Sequence, residues 1–283
     1  MTALAYTRRG AGPPLVLIHA LGSARQAWDP VLDALAGRFD VIAVDLPGFG
    51  GSEPLPAEVE PRPAVLAAGV GAFLDELGIA APHVAGNSLG GWVALELAGL
   101  RPVASLTLLG PAGLWRDRPP LYNRVSLRAT RWLASHGTSL LSWLMRYRLA
   151  RIVVLGQTHG RPSRVSAEYA RRAIEAMARS SGFRATMKAT EGRCYRSSTP
   201  VAAPVTVAFG SRDLLLLPWQ SRHVDQLPPG ARVVTLRGCG HIPMADDPAA
   251  VATLVSEHLG AVHLAEGVGQ QLEPGTVGIP EID

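Results

Sequence analysis

Residues 83–92 read HVAGNSLGGW, and this short stretch decides how the chain folds. Its first half is apolar and predicts a buried strand, while the residues after it are good helix formers with an apolar face. A serine at such a strand-to-helix reversal sits on a tight turn, so the residues two before and two after it must be small. Gly86 and Gly90 meet this need around Ser88. The pattern favours Ser88 as a nucleophile over a glycine-rich turn with an incidental serine.

Outward from this stretch, strand-like and helix-like segments alternate along the chain. Continuous apolar runs are typical of strands buried on both faces, and repeated strand–helix units imply right-handed crossovers. The sequence therefore predicts an α/β fold, with a mostly parallel sheet flanked by helices on both faces. Besides the strand before Ser88, the strand-like runs are Leu15–Ile18, Val41–Val44, Ser105–Leu109, Pro204–Phe209 and Val233–Leu236.

The alternation stops after the strand that ends at Leu109. Residues 115–199 contain helical patterns and no convincing strand, and they follow a strand at the sheet edge where such folds place their sites. We therefore expect a helical lid inserted between two parts of one core domain, residues 1–114 and 200–260. Residues 261–283 lack periodicity and predict a flexible C-terminal tail.

Composition narrows the class of protein. A chain of 283 residues that is 47% hydrophobic can bury a large core. It shows no signal-peptide pattern and no apolar stretch long enough to predict a transmembrane segment. Two cysteines make a disulfide framework improbable, and no His and Cys cluster has metal-ligand spacing. We expect a cytoplasmic protein without a cofactor or a bound metal.

Positive charge is concentrated in the predicted lid. Residues 115–196 carry 17 basic side chains against four acidic ones, although the whole chain has a formal charge of only +4. Such a block can mark a nucleic-acid or membrane surface. Here the charges alternate with apolar residues at helical spacing, which is typical of amphipathic helices with arginine stems lying over apolar surface. We expect a small-molecule substrate and no nucleic-acid partner; the oligomeric state stays open.

Several further motifs occur in the order found in one known family. The chain resembles the serine-nucleophile branch of the α/β-hydrolase fold family over roughly residues 2–260, with Ser88 on its nucleophile elbow. Ala20 departs from the family pattern, because a glycine is usual there. The other matching segments are an oxyanion loop at His19–Gly22, a D-x-P-G-x-G-x-S loop at Asp45–Ser52, an acid-bearing turn at Gly210–Asp213 and a histidine loop at Gly240–Pro243.

The resemblance implies a catalytic triad. A serine hydroxyl is a weak nucleophile at neutral pH, and His241 would take its proton. Asp213 would accept the other ring N–H of His241, fixing the tautomer and stabilising the charged ring. The backbone N–H groups of Leu21 and Leu89 would form the oxyanion hole.

Other acidic residues compete with Asp213. Asp117 is a rival acid, because some relatives carry the acid after the strand that ends here at Leu109. Asp246 and Asp247 precede Pro248, and an aspartate before a proline is typical of a helix N-cap with proline at the first helical position. We expect Asp213 to be the acid and these two residues to cap a helix.

Two further residues near the motifs could be mistaken for catalytic groups. We expect His19 to order its loop rather than to act as the base. Cys239 is two residues from His241 and could be read as a thiol nucleophile, but a small packed residue is the better interpretation. The remaining histidines have no motif around them and predict no chemistry: His83, His136, His159, His223, His258 and His263.

The substrate is predicted only by class. Resemblance to the serine branch implies hydrolysis of an ester, a thioester or a lactone. The alternatives are a carbon–carbon bond hydrolase of the meta-cleavage type, which shares the Gly-Asn-Ser elbow, a perhydrolase-like enzyme, and a binding or cyclase protein that no longer hydrolyses. Meta-cleavage relatives usually carry a tryptophan after the histidine, where this chain has Ile242. Trp132, Trp143 and Met145 are possible substrate-pocket residues that favour an apolar group.

Overall fold

Seven strands form the centre of the molecule. The computed structural model describes residues 3–196 and 201–257. The strands are β1 (Tyr6–Arg9), β2 (Pro14–Ile18), β3 (Asp40–Val44), β4 (His83–Asn87), β5 (Ser105–Leu109), β6 (Val205–Gly210) and β7 (Arg232–Leu236). They form one sheet in the order β1-β3-β2-β4-β5-β6-β7. All neighbours pair in parallel except β1, which runs antiparallel to β3.

Helices connect the parallel strands and cover the sheet. They are α1 (Asp29–Ala36), α2 (Pro63–Glu76), α3 (Leu89–Leu100), α4 (Leu121–His136), α5 (Thr138–Leu144), α6 (Arg148–Leu155), α7 (Ala167–Arg179), α8 (Phe183–Thr190), α9 (Pro218–Ser221) and α10 (Pro243–Asp246). Residues 248–257 are also helical. Short 3-10 helices lie at Arg25–Trp28 and Val224–Gln226. The predicted α/β fold is confirmed.

Strands β2 to β6 are buried because both faces of the sheet are covered along them. Along β2, Val16 and Ile18 belong to an apolar cluster with α2 and α3. Leu15 and Leu17 point the other way, into a cluster that includes Trp28 and residues of α1 and of helix 248–257. Successive side chains of a strand alternate between faces, so a strand with two covered faces has to be apolar throughout.

Strand β1 was not predicted from the sequence. Its residues, Tyr6–Arg9, are half-buried or exposed, so they carry no apolar run. The strand is held at the sheet edge by its ladder with β3 and by a 2.6 Å ion pair between Arg8 and Asp40. A polar, charged edge strand also discourages pairing with another chain.

Five helices, α4 to α8, lie between β5 and β6 where the sequence predicts an insertion. They bury a small apolar cluster of their own, centred on Met145, Leu155 and Ile174. Phe183 and Met187 of α8 instead join the core cluster on the α2 and α3 side of the sheet. The segment, here named the helical insertion, is therefore packed onto the core; its role as a lid stays a prediction. The predicted tail at residues 261–283 lies outside the described residues.

Candidate active site

Ser88 occupies a strained turn between β4 and α3. Its backbone has φ of 55°, and it is the only residue other than glycine with a positive φ in the described part of the chain. The turn is closed so tightly that a Cβ atom on Gly86 would lie 2.3 Å from the carbonyl oxygen of Gly90. A Cβ atom on Gly90 would lie 2.2 Å from the carbonyl oxygen of Ile18. Only glycine fits at both positions, and this steric requirement explains why glycines flank Ser88 in the sequence.

Asn87 ties this turn to the neighbouring loops. Its side-chain amide donates hydrogen bonds to the carbonyl oxygens of Leu109, at 2.8 Å, and His241, at 2.9 Å. The backbone N–H of Ser88 also donates to Leu109, at 3.0 Å. The amide nitrogen of Asn87 is thus fully used in positioning the elbow against β5 and the histidine loop.

Asp213 and His241 form a buried pair. Nδ1 of His241 lies 2.9 Å from Oδ2 of Asp213. The second carboxylate oxygen accepts hydrogen bonds from the backbone N–H groups of Leu215 and Leu216, at 2.9 and 2.8 Å. Burial raises the pKa of Asp213, but the charge and hydrogen bond of His241 and the two backbone donors outweigh it, so its pKa lies below the ordinary value. Asp213 is therefore a carboxylate.

This hydrogen bond fixes which ring nitrogen of His241 carries the proton in the neutral form. A carboxylate can only accept, so Nδ1 carries the proton and Nε2 presents a lone pair. That Nε2 atom is buried and has no hydrogen-bond partner among the described residues. His241 and Ser88 line the same cavity, although no direct hydrogen bond joins them. In free enzymes such bonds are often long and shorten when substrate binds.

Two backbone N–H groups are available beside Ser88. Leu89 is the first residue of α3, so its N–H has no partner within the helix. Leu21 lies in the loop after β2, and neither N–H donates to another residue in the part of the chain that the structure describes. Both residues line the cavity with Ser88. The close packing of Gly90 on the end of β2 brings the two loops together.

His19 holds the loop that carries Leu21. Its Nε2 accepts a 3.0 Å hydrogen bond from the backbone N–H of Leu46, and Nδ1 donates to the carbonyl oxygen of Ala20 at 2.7 Å. Burial lowers the pKa of His19, so the ring is neutral. With both ring nitrogens occupied it has no nitrogen left to act as a base, which agrees with the expectation that it orders its loop.

The cavity next to Ser88 has a volume of about 380 Å³. The core side contributes Leu21, Leu89 and Ile242, and the helical insertion contributes most of the remaining wall. That wall is largely apolar: its side chains include Trp115, Leu127, Leu133, Leu141, Val153, Ile174, Met177 and Met187. Asn123, Arg124, Gln157 and His159 are polar exceptions.

The pocket residues predicted from the sequence are not in this wall. Trp132 is exposed and stacks on His136, with ring centroids 5.0 Å apart. Trp143 is exposed and stacks under the guanidinium of Arg146. Met145 is fully buried in the separate apolar cluster of the insertion. Helical spacing places apolar residues on one face of a helix, but it does not tell whether that face lines the cavity, the inside of the insertion or the solvent.

Asp117, the rival acid, lies away from His241. Its side chain is exposed, and its nearest partner is Arg196 at 4.0 Å. Asp213 already occupies Nδ1 of His241. The geometry therefore brings Asp213 and not Asp117 to the histidine.

Asp246 does not cap a helix as expected. Its carboxylate accepts hydrogen bonds from the backbone N–H groups of Gly160, Arg161 and Gly240, at 2.8, 2.8 and 2.7 Å. It thus clamps the helical insertion to the histidine loop. Asp247 does have the predicted role, because its side chain accepts from the N–H of Ala250 in helix 248–257, at 3.1 Å.

Cys239 is buried behind the histidine loop. Burial, with the charges of Asp246 and Asp247 next in effect, raises the pKa of its thiol to about 11. The thiol is therefore neutral near pH 7 and a weak nucleophile. This agrees with the expectation of a packed residue.

His159 is a cavity residue that the sequence analysis missed. It is buried, and Nδ1 pairs with the hydroxyl of Thr158 at 2.9 Å. Its Nε2 atom is buried without a partner among the described residues, and burial lowers its pKa to about 4. No motif surrounds it, and only the packing of the insertion on the histidine loop brings it to the cavity.

The described residues contain neither a membrane-spanning helix nor a metal-binding cluster. In residues 3–196 and 201–257, no helix has the length and apolar character needed to cross a membrane. Over the same ranges, no group of three or more His, Cys, Asp or Glu side chains could hold a metal ion.

Comparison with known proteins gives the family of this α/β fold. The model of the "Alpha/beta hydrolase family" matches residues 15–254. The chain belongs to this family.

Individual relatives are hydrolases. A pimeloyl-[acyl-carrier protein] methyl ester esterase of Aeromonas hydrophila is 29% identical over 91% of this chain and 100% of its own length. An epoxide hydrolase of Mycobacterium tuberculosis is 31% identical over 69% of this chain and 94% of its own. The structure of a thermophilic esterase from Thermogutta terrifontis superposes with a TM-score of 0.74 at 22% identity, covering 92% of this chain and 94% of the other.

Proposed function

We propose that the protein is a serine hydrolase that cleaves a carboxylic ester, a thioester or a lactone carrying an apolar group. The observation that carries this proposal is the buried 2.9 Å pair of Asp213 and His241 in a cavity whose wall also contains Ser88. Among the described residues nothing binds the buried Nε2 of His241, whose lone pair in the neutral ring can accept a proton.

In the proposed reaction, Nε2 of His241 takes the hydroxyl proton of Ser88 as the oxygen attacks the substrate carbonyl carbon. The carbonyl electrons move onto oxygen, and the N–H groups of Leu21 and Leu89 hold this oxyanion. On collapse, the bond to the leaving group breaks and His241 gives it the proton. Water then attacks the acyl-enzyme in the same way, which releases the carboxylic acid and restores the hydroxyl of Ser88.

Asp213 supports two of these steps without exchanging a proton. It holds the tautomer of His241 that has Nε2 free, and it stabilises the imidazolium that forms during attack. The two backbone hydrogen bonds from Leu215 and Leu216 keep its carboxylate fixed and ionised. The strained backbone of Ser88 holds the hydroxyl at the start of α3, where the helix N-terminus favours negative charge.

The cavity supports an apolar acyl or alcohol group. Its wall is mostly aliphatic and thioether side chains, and its volume of about 380 Å³ accommodates a small organic ester. The A. hydrophila relative is named as a methyl ester esterase, which is in keeping with ester chemistry.

Other reactions receive less support. Epoxide hydrolases that resemble this family use an aspartate nucleophile, and this chain has Ser88 at that position. A meta-cleavage hydrolase would share the elbow, but Ile242 stands where a tryptophan is usual in that group. Perhydrolysis needs the same triad and differs only in the attacking peroxide. A non-hydrolytic binding protein or cyclase would have no need of the free Nε2 of His241.

The test is a panel of p-nitrophenyl esters of increasing acyl length, with a meta-cleavage dienone assayed in parallel. We expect turnover of the esters by the wild-type chain and none by Ser88→Ala, which should keep the melting temperature of the wild type. Turnover of the dienone alone would replace the ester proposal with carbon–carbon cleavage. Wild-type turnover by Ser88→Ala would refute the nucleophile.

A further inference from the structure

Helix α6 presents apolar side chains to solvent. Leu149 is 77% exposed and Val153 82%, and Ile152 and Val154 are exposed as well. Trp143 and Tyr147, just before the helix, are also exposed. Amphipathic helices of a globular fold turn such residues inward, so an exposed apolar cluster marks a surface that binds something. The α6 patch is defined by Trp143, Arg146, Tyr147, Arg148, Leu149, Ile152, Val153 and Val154.

The α6 patch is part of a larger region in which exposed apolar side chains are concentrated. Among the described residues, 18 large hydrophobic side chains are exposed, and 12 of them lie between residues 121 and 154. The rest of the surface therefore follows the ordinary pattern of scattered apolar residues, and this part does not.

The same segment is free of negative charge. No Asp or Glu occurs between Asp117 and Glu168. The Arg146 guanidinium stacks 3.8 Å from the ring centroid of Trp143 and 4.8 Å from that of Tyr147. Neither Arg146 nor Arg148 forms an ion pair within the described residues.

Acidic residues elsewhere in the insertion are already paired. Glu168 and Glu175 bind the arginines of α7, and Glu191 binds those of α4. The expectation that arginines serve amphipathic helices therefore fits α7, where Arg171 pairs with glutamates one turn away. It does not account for the α6 patch.

We propose that the α6 patch is a docking surface for an anionic lipid bilayer. Tryptophan and tyrosine rings favour the headgroup region, aliphatic side chains favour the acyl boundary below it, and unpaired arginines attract anionic headgroups. A second copy of this chain fits the patch less well. A two-fold contact would bring Arg146 and Arg148 of both copies into one interface to which the α6 patch contributes no acidic residue.

Docking would bring the bilayer to the mouth of the cavity. Val153 and Val154 are exposed and also line the cavity beside Ser88. An apolar substrate dissolved in the bilayer would then reach the site along an apolar rim. This consequence rests on the proposed function, whereas the docking itself does not.

The test is co-sedimentation of the full-length Ser88→Ala chain with unilamellar vesicles, so that binding is measured without turnover. Vesicles of phosphatidylcholine alone are compared with vesicles that also contain phosphatidylglycerol. We expect binding to the anionic vesicles that weakens with salt. Arg146→Gln with Arg148→Gln should weaken it roughly thirtyfold, from the usual gain per basic residue near an anionic surface. Trp143→Gln with Leu149→Gln should weaken it roughly tenfold or more.

The matched controls are Arg232→Gln, on the exposed strand β7, and Leu100→Gln, an exposed leucine at the end of α3. Both should bind vesicles like the parent chain, and all variants should keep its melting temperature. Equal binding to both kinds of vesicle, or unchanged binding by both double variants, would overturn the proposal. So would a dimer in light scattering that the Trp143 and Leu149 changes dissociate while vesicles bind none of the chains. If vesicle binding fails while ester turnover persists, the docking proposal alone is wrong.

Discussion

The residues around Ser88 show how a few side chains are held in an unfavourable state. Ser88 has a positive φ, Asp213 is ionised although buried, and His159 is kept neutral in the cavity wall. Each is maintained by its neighbours: glycines around the turn, hydrogen bonds to the carboxylate, and apolar packing around the ring. Such states cost free energy and persist at sites where the arrangement has a use.

Asp213→Asn should lower kcat roughly ten-thousandfold, because an amide at this position no longer selects the tautomer of His241 with Nε2 free. Asp117→Asn is the matched control and should turn over substrate like the wild type, since its side chain is exposed and distant from the histidine pair. Steady-state kinetics on the best ester, with melting temperatures for both variants, give the answer. Equal losses in the two variants would contradict the assignment of the acid.

His159 should make the fold less stable in acid. Its pKa of about 4 in the folded chain lies below the ordinary value of 6.5, so the unfolded state binds the extra proton as the pH falls from 6.5 towards 4. As far as His159 is concerned, the folded chain keeps its full free energy of unfolding above pH 6.5, and this free energy falls by about 3 kcal/mol between pH 6.5 and pH 4. Urea unfolding at pH 7 and pH 4 should show a smaller decline for His159→Leu than for the wild type. The control is His136→Leu, on the surface of α4, whose stability should fall between pH 7 and pH 4 as much as that of the wild type. If the stability of His159→Leu fell by the same amount as that of the wild type, the prediction would be refuted.

At the scale of elements, the site is formed where separate segments meet. The elbow comes from β4 and α3, the acid from the end of β6, the histidine from the loop after β7, and most of the cavity wall from the insertion between β5 and β6. Asp246 joins two of these segments, because it binds the N–H groups of Gly160 and Gly240 together. The insertion and the histidine loop should therefore respond as one unit.

Asp246→Ala should destabilise the fold by about 3 kcal/mol, because it leaves one buried N–H group, that of Gly240, and two partly buried ones, those of Gly160 and Arg161, without acceptors. Asp247→Ala removes the cap of helix 248–257 and a partly exposed ion pair with Arg161, and it should cost less, about 1–2 kcal/mol. Chemical denaturation of both variants measures the difference. A smaller loss in Asp246→Ala than in Asp247→Ala would show that the clamp does not hold the insertion.

The cavity wall should set the preference for acyl length. Leu127→Trp reduces the space beside Ser88, and we expect the ratio of kcat/KM for long over short esters to fall roughly tenfold or more. Trp132→Ala removes an exposed ring outside the wall and should leave that ratio unchanged. Single substitutions test this better than deletion of the helical insertion, because deletion would also remove Phe183 and Met187 of α8 from the core. An altered ratio in Trp132→Ala with none in Leu127→Trp would contradict the observed wall.

At the scale of the whole molecule, the parts that sequence reasoning reaches are those fixed by local chemistry. Apolar runs identify strands β2 to β6 because both of their faces are buried. The glycines at 86 and 90 identify the elbow because nothing larger fits. Strand β1 is not predicted from the sequence, because its side chains are mostly polar and its position depends on pairing with β3.

Long-range packing explains the other misses. His159 and Asp246 act through contacts between segments more than 80 residues apart, and no local sequence pattern predicts such contacts. Trp132, Trp143 and Met145 have helical spacing, but this spacing is shared by a cavity wall, a buried cluster and a surface patch. The roles proposed for Ser88, His241 and Asp213 rest on motif and geometry together.

The most direct measurement of the central proposal is the rate of labelling by a fluorophosphonate, followed by mass spectrometry of the intact chain and its peptides. Because the reagent reacts with activated serines, the wild type should gain one adduct, mapped to Ser88. Ser88→Ala should gain none, and His241→Ala should react at least roughly a thousandfold more slowly, since the base would be absent. An unlabelled wild-type chain, or labelling of Ser88→Ala at the wild-type rate, would contradict the proposal that Ser88 is the nucleophile of a serine hydrolase.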